Sequence, residues 1–133
     1  MIYCLLSNKN TEDYIFNVFQ NEDILFISEI NNDLASYKEK DILILESSSK
    51  KDMLNTLKVL QKINAKIVIL TGVPSIEDSI SFLKTNKMIR AYGNRYMSKA
   101  NMLQLYNAVT NKKVWFYPEL MKELKKRKII TPS

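Results

Sequence analysis

Residues 41–49 read DILILESSS, from Asp41 through Ile42, Leu43, Ile44, Leu45 and Glu46 to three serines. Four branched apolar residues in a row leave no polar face, so the stretch reads as a strand covered on both sides. Such a strand belongs in the middle of a parallel sheet. It stops on one carboxylate, Glu46, and Ser49 then opens a helix, with Asp52 at the third position in place of the usual Glu of a capping box. Met53, Leu54, Leu57, Leu60 and Ile63 follow at helical spacing.

The same alternation runs outward in both directions. IYCLL (2–6), ILFI (24–27) and IVIL (67–70) are further continuous apolar runs, and a weaker one lies near Ile89–Tyr92. Between them lie helix-period stretches. Thr11 precedes one carrying Ile15, Phe16, Val18 and Phe19. Pro74-Ser75 opens another with Ile76, Ile80 and Leu83, and Ser98 caps one with Met102, Leu105, Tyr106 and Val109 inward. A short helix is expected over 30–38. Strands alternating with helices require crossover connections. The expected fold is therefore α/β: a doubly wound, five-stranded parallel sheet (flavodoxin-like, strand order 2-1-3-4-5) with helices on both faces and a short C-terminal helix. Residues 1–111 form the expected domain, and 112–133 an aromatic and basic extension or linker helix that packs on it or leads out of it.

Composition removes several chemistries. The chain of 133 residues, 46% hydrophobic, is large enough for one core. It has no histidine, so a Ser-His-Asp triad, a Cys-His pair and histidine metal ligation cannot be assembled within it. Only Gly72 and Gly93 are glycines, and no G-x-G-x-x-G or Walker-type loop can be written. The one cysteine, Cys4, sits inside an apolar run and points to a buried thiol in a reducing compartment. No apolar run is long enough to span a membrane, and MIYCLLSNKN is strand-like rather than a leader. No cofactor and no metal are expected.

Charge is uneven. Residues 1–83 hold 8 Lys/Arg against 12 Asp/Glu, and residues 84–133 hold 12 against 2. A basic surface toward the C-terminus suits an acidic partner, yet 17 of the 20 bases are lysine, as an AT-rich genome writes on any solvated surface.

In open α/β sheets a site lies beyond the carboxyl ends of the strands, here Ser7 and Asn8, Glu46, Thr71 and the region after Tyr92. Those residues resemble the response-regulator receiver domain (CheY-like) over essentially the whole chain. Asp41-Ile-Leu-Ile-Leu-Glu46 has the shape of the receiver strand that ends in its phosphoacceptor aspartate, with glutamate in that position. Thr71 after IVIL matches the receiver Thr/Ser. A switch aromatic and a lysine three residues later match either Tyr92 and Arg95 or, in an alternative register, Tyr96 and Lys99; the first is preferred because it leaves Ser98 as the helix cap. VWFYPEL (114–120) is similar to the end of receivers fused to LuxR/FixJ-type DNA-binding domains.

The departures alter the chemistry that the resemblance implies. Ser7 and Asn8 stand where receivers carry the acidic pair for Mg²⁺, Glu46 replaces aspartate, and Arg95 replaces lysine. Three readings of Glu46 follow: a built-in mimic of the phosphorylated state, a structural acid paired with Arg95 or Lys99, or residual acceptor chemistry. Ser47–Ser49 read as a capped loop, and Lys122 with KKRK (125–128) as bases complementing a helix C-terminus.

The implied function is that of a degenerate, atypical receiver. This is a cytoplasmic, non-enzymatic module of signal transduction and transcription control, acting without phosphorylation. It would work as a homodimer or through an effector domain, touching DNA only by a downstream domain outside this chain and touching no membrane. Its contact surface is expected over residues 88–117, with Tyr106, Trp115, Phe116 and Tyr117 as candidates. The alternative is a stand-alone adaptor that binds another signalling protein. A phosphoacceptor or small flavodoxin-like enzyme would need a carboxylate pair, a histidine or a glycine-rich phosphate loop.

Overall fold

The computed structural model describes residues 1–72 and 74–129. Its strands are β1 (Ile2–Leu5), β2 (Ile24–Phe26), β3 (Ile42–Glu46), β4 (Lys66–Thr71), β5 (Ile89–Asn94) and β6 (Trp115–Phe116). The helices are α1 (Lys9–Val18), α2 (Lys50–Val59), α3 (Ile76–Thr85), α4 (Lys99–Thr110) and α5 (Pro118–Lys126). All strands are parallel, in the order β2-β1-β3-β4-β5-β6. The α/β doubly wound class is as expected, while the sheet has a sixth, short strand where five were expected.

Strand alternation sorts the core into two layers. Ile42 and Ile44 of β3 face Ile15, Val18, Met102, Leu105 and Val109, the layer beneath α1 and α4. Leu43 and Leu45 face Met53, Leu57, Ile80, Phe82, Leu120 and Leu124, the layer beneath α2, α3 and α5. Every residue of β3 is buried, as its unbroken apolar run requires.

Three local expectations are corrected. Segment 30–38 is a single 3-10 turn, Leu34–Ser36, because Asn31 and Asp33 accept from the amides of Asp33 and Ala35 and close Asx turns in place of a helical ladder. The first helix begins at Lys9 with Asn8 as its cap, which moves Thr11 from the entrance into the buried face. Phe16, expected in the apolar stripe, is 63% exposed. Ser49, Ser75 and Ser98 each cap the helix assigned to them, accepting from the amides of Asp52, Asp78 and Asn101.

β5 carries a one-residue irregularity. Ile67 pairs with Ile89, but Val68 pairs with Ala91, so Arg90 is the extra residue. A slip of one residue exchanges the faces of everything that follows. Tyr92 is thereby delivered to the α2/α3/α5 layer, where it stacks on Phe82 (6.2 Å) and meets the edge of Tyr117 (5.6 Å).

The segment after 111 is continuous with this core. β6 extends the sheet beside β5, with Ala91 opposite Trp115 and Tyr92 opposite Phe116. α5 then lies against α3. Phe116, Tyr117, Leu120 and Leu124 are all buried, the Tyr117 hydroxyl bonds Ser79 Oγ at 2.8 Å, and Arg127 reaches Glu77 at 2.6 Å. Phe116 and Tyr117 are therefore interior side chains, not the partner-facing aromatics expected of them. Trp115 is half-buried, with its Nε1 donating to Gln104. Residues 130–133 of the expected extension lie outside the described residues. No helix among the described residues is long and apolar enough to cross a membrane.

Both α4 and α5 end in the same closure. Lys112 and Lys128 take left-handed backbone (φ 61° and 56°), and the amides of Lys113 and Ile129 reach back to the carbonyls of Ala108 and Leu124, both at 2.9 Å. This is the Schellman bonding pattern, with lysine where glycine is usual. Because α5 shares the core, Phe116→Ala should lower unfolding free energy by about 3 kcal/mol, the cost of a large buried truncation. A denaturant titration should retain a single transition; a separate early phase for the C-terminal segment would contradict the shared core.

Candidate functional site

Glu46 ends β3 on the α1 side of the sheet, as the alternation from Ile42 and Ile44 dictates. Its side chain is wholly enclosed (0% exposed), and four donors converge on it. The Ser7 amide (3.1 Å) and Ser7 Oγ (3.3 Å) donate to Oε1. Thr11 Oγ1 (2.7 Å) and Arg95 Nη1 (3.3 Å) donate to Oε2. A carboxylate offers about four lone-pair positions, so its accepting capacity is full. Thr11 was missed by sequence reasoning because only the earlier start of α1 turns its hydroxyl inward. The available signal was Asn8, a good cap three residues ahead of it.

Arg95 follows β5 and is held by its own amide, which donates to the Thr71 carbonyl at 2.9 Å. Its Nη2 donates to the Tyr96 hydroxyl at 3.1 Å, and the guanidinium lies 5.1 Å from the Tyr96 ring centroid. It passes directly over Gly72, where a Cβ would sit 2.8 Å from Nη2 and 2.9 Å from Cζ. Gly72 thus serves close approach, not a phosphate cradle. Arg95 Nε is buried without an acceptor among the described residues.

Of the two fifth-strand pairings, Arg95 is the cation at Glu46. Tyr96 is 72% exposed, and Lys99 lies in the first turn of α4, lining a separate cavity with Phe19, Leu103 and Tyr106. Tyr106 is half-buried and tilted against Phe19 at 5.0 Å. Thr71 and Tyr92 lie elsewhere: they line a small cavity of about 120 Å³ with Ser47, Ser48, Ser49 and Lys50, and no hydrogen bond joins either to Glu46 among the described residues. Ser47 and Ser49 bond each other, as a capped loop should. In the basic tail, Arg127 is tied to Glu77 and Glu123, and Lys125 and Lys126 occupy the last turn of α5.

Magnesium, which the receiver resemblance implies, does not fit these donors. Ser7 and Asn8 are neutral, Asn8 Oδ1 already accepts from the Asn10 amide, and Glu46 has no free acceptor and a guanidinium beside it. No three His, Cys, Asp or Glu side chains among the described residues are grouped to hold a metal. Cys4 is 1% exposed, and burial, seconded by the Glu12 charge, pushes its thiol up to about 12, so it is closed to nucleophilic chemistry near neutrality.

No protein-family model matches the chain, and no curated protein matches it in sequence.

Two outcomes follow from this geometry. Arg95→Ala leaves an enclosed carboxylate short of its cation, with Ser7 and Thr11 still bonded, and should cost about 2–3 kcal/mol. Gly72→Ala displaces the same guanidinium, so the double variant should cost clearly less than the sum of the singles; strict additivity in a denaturation cycle would rule out the coupling. Separately, burial pushes the Tyr92 hydroxyl up to about 12, as it does the Cys4 thiol. The folded state therefore holds these protons more tightly than the unfolded chain. Their contribution is complete below the ordinary values of 9.0 and 10.0 and is lost as pH rises toward 12. Tyr92→Phe should flatten the alkaline fall in melting temperature, and an unchanged slope would show that Tyr92 is not its source.

Proposed function

We propose that this chain is a regulatory module on a receiver-like fold, one whose strand-end carboxylate ties the structure together and does no phosphoryl chemistry. One observation carries the reading: the enclosed Glu46, with all its accepting positions taken and Arg95 as its counter-ion. A nucleophilic carboxylate needs an exposed oxygen and a metal to neutralise the incoming phosphate. Glu46 offers no exposed oxygen, and the donors around it do not fit a metal. Of the two roles open to this acid, the structural pair is favoured over the phosphomimic, because Glu46 makes no bond to Thr71 or Tyr92 through which an active-like state would be held.

The module is non-enzymatic and cytoplasmic. It acts in signal transduction or transcription control by touching another protein, either a second copy or an effector domain, with DNA reached only through a domain outside this chain. With Phe116 and Tyr117 internal, the 88–117 contact surface falls on the outward side of α4. There Leu103, 39% exposed, shares a concavity with the half-buried Tyr106, and Tyr96 protrudes from the loop that precedes α4. The same surface would serve a stand-alone adaptor.

Calorimetric titration of Mg²⁺, with and without beryllofluoride, tests the core of this reading. No heat beyond dilution is expected under conditions where an ordinary receiver responds. A magnesium-dependent beryllofluoride signal that disappears in Glu46→Gln would mean that Glu46 still works as an acceptor, and the proposal would fall.

A further inference from the structure

We propose that the amino-terminal end of the sheet, opposite Glu46, is a binding site for a small ligand carrying two or more phosphate groups, held by Lys38, Lys40, Lys66 and Lys112. These four lysines, with Glu39, border one open depression of the surface, and all of them but Lys66 are exposed. They arrive from three separate places: the approach to β3, the first residue of β4 and the turn after α4. None of the four takes part in an ion pair among the described residues, whereas Lys9, Lys50 and Arg127 do.

The positions are fixed by the backbone. Lys66 pairs with Ile42, donates its amide to the Asp41 carbonyl at 3.1 Å, and is half-buried. Lys112 occupies the left-handed position of the α4 closure, at φ 61°, where lysine is less favourable than glycine. Lys38 Nζ donates to the Ala35 carbonyl at 3.0 Å and keeps two further protons.

The α4 C-terminus accounts for a cation at Lys112, since carbonyls there favour positive charge. It does not account for Lys38 and Lys40, which enter from the strand side. One carboxylate against four lysines leaves this surface with a positive balance that a multiply charged anion would offset, most effectively at low salt. Lysine binds phosphate as a flexible point charge, and the space suits a di- or triphosphate better than a large cofactor. The site is independent of the regulatory reading above and stands or falls separately.

The probe is inorganic tripolyphosphate, titrated calorimetrically into the whole chain at low salt. Saturable one-to-one binding is expected, weakening as salt rises. Lys66→Gln/Lys112→Gln should weaken it at least about tenfold, while Lys125→Gln/Lys126→Gln on α5, which removes the same charge, should leave it unchanged. Melting curves report whether each variant is folded, and Lys38→Gln/Lys40→Gln replaces the first pair if that pair is not. No saturable heat, or equal losses in the α5 control, would overturn the site. A single-stranded oligonucleotide that binds where tripolyphosphate does not would also overturn it, in favour of a nucleic-acid surface.

Discussion

A carboxylate with no exposed surface must be answered by donors from the protein itself, because burying it unpaired costs several kcal/mol. Glu46 meets this requirement with donors from three other parts of the chain: Ser7 just after β1, Thr11 inside α1 and Arg95 after β5. Those contacts fix the β1–α1 connection and the β5–α4 loop on the tip of the central strand. They also explain Gly72, which must lack a side chain so that Arg95 can cross it. Gly93 is bound by a similar limit on the same side of the sheet: a Cβ there would lie 2.8 Å from Met97 Cε and 3.2 Å from Leu105 Cδ1. The limit is looser at Gly93, because Met97 Cε is the far end of a flexible side chain that can move aside.

The C-terminal segment changes what the rest of the molecule can present. β6 adds to the β5 edge, and α5 seats Leu120 and Leu124 against the α2/α3 layer. Tyr117, held between Tyr92 and Ser79, fastens α5 to both β5 and α3. An edge that would otherwise offer unpaired amides and carbonyls is partly covered from within the chain. The surface left for contact on this side is α4, and the opposite edge, β2, has only three residues.

The two ends of the sheet differ in kind. At the carboxyl end, where α/β folds ordinarily place chemistry, the strand-end carboxylate, Glu46, is enclosed by an ion pair and a full set of hydrogen bonds. The amino end gathers Lys38, Lys40, Lys66 and Lys112, which form no ion pair among the described residues. The basic excess in the later half of the sequence does not explain that arrangement, since Lys38, Lys40 and Lys66 all come from the acidic first 83 residues. Overall charge and local charge are separate quantities, and the topology sets the second.

By itself the sequence determined the class of fold and the order of its five longer strands and the helices between them, but not the short β6 or the 3-10 turn at Leu34–Ser36. Unbroken apolar runs such as Ile42–Leu45 can be satisfied only between two layers, and Ser49, Ser75 and Ser98 announce their helices because a cap is a local bond. Glu46 was legible as a strand-end residue because it terminates the apolar run, whereas Arg95 came from the receiver resemblance, in one of two registers. What tertiary structure decided was everything that depends on one residue of register or on contacts distant in sequence. The extra residue at Arg90 turns Tyr92 to the α3 side, and the cap at Asn8 turns Thr11 toward Glu46. Phe116 and Tyr117 become core by packing against β5 and α3, while Trp115 stays half-buried. Side-chain direction alternates with every strand residue and rotates by 100° with every helical one. Local pattern therefore names the elements, while packing chooses which groups they bring face to face.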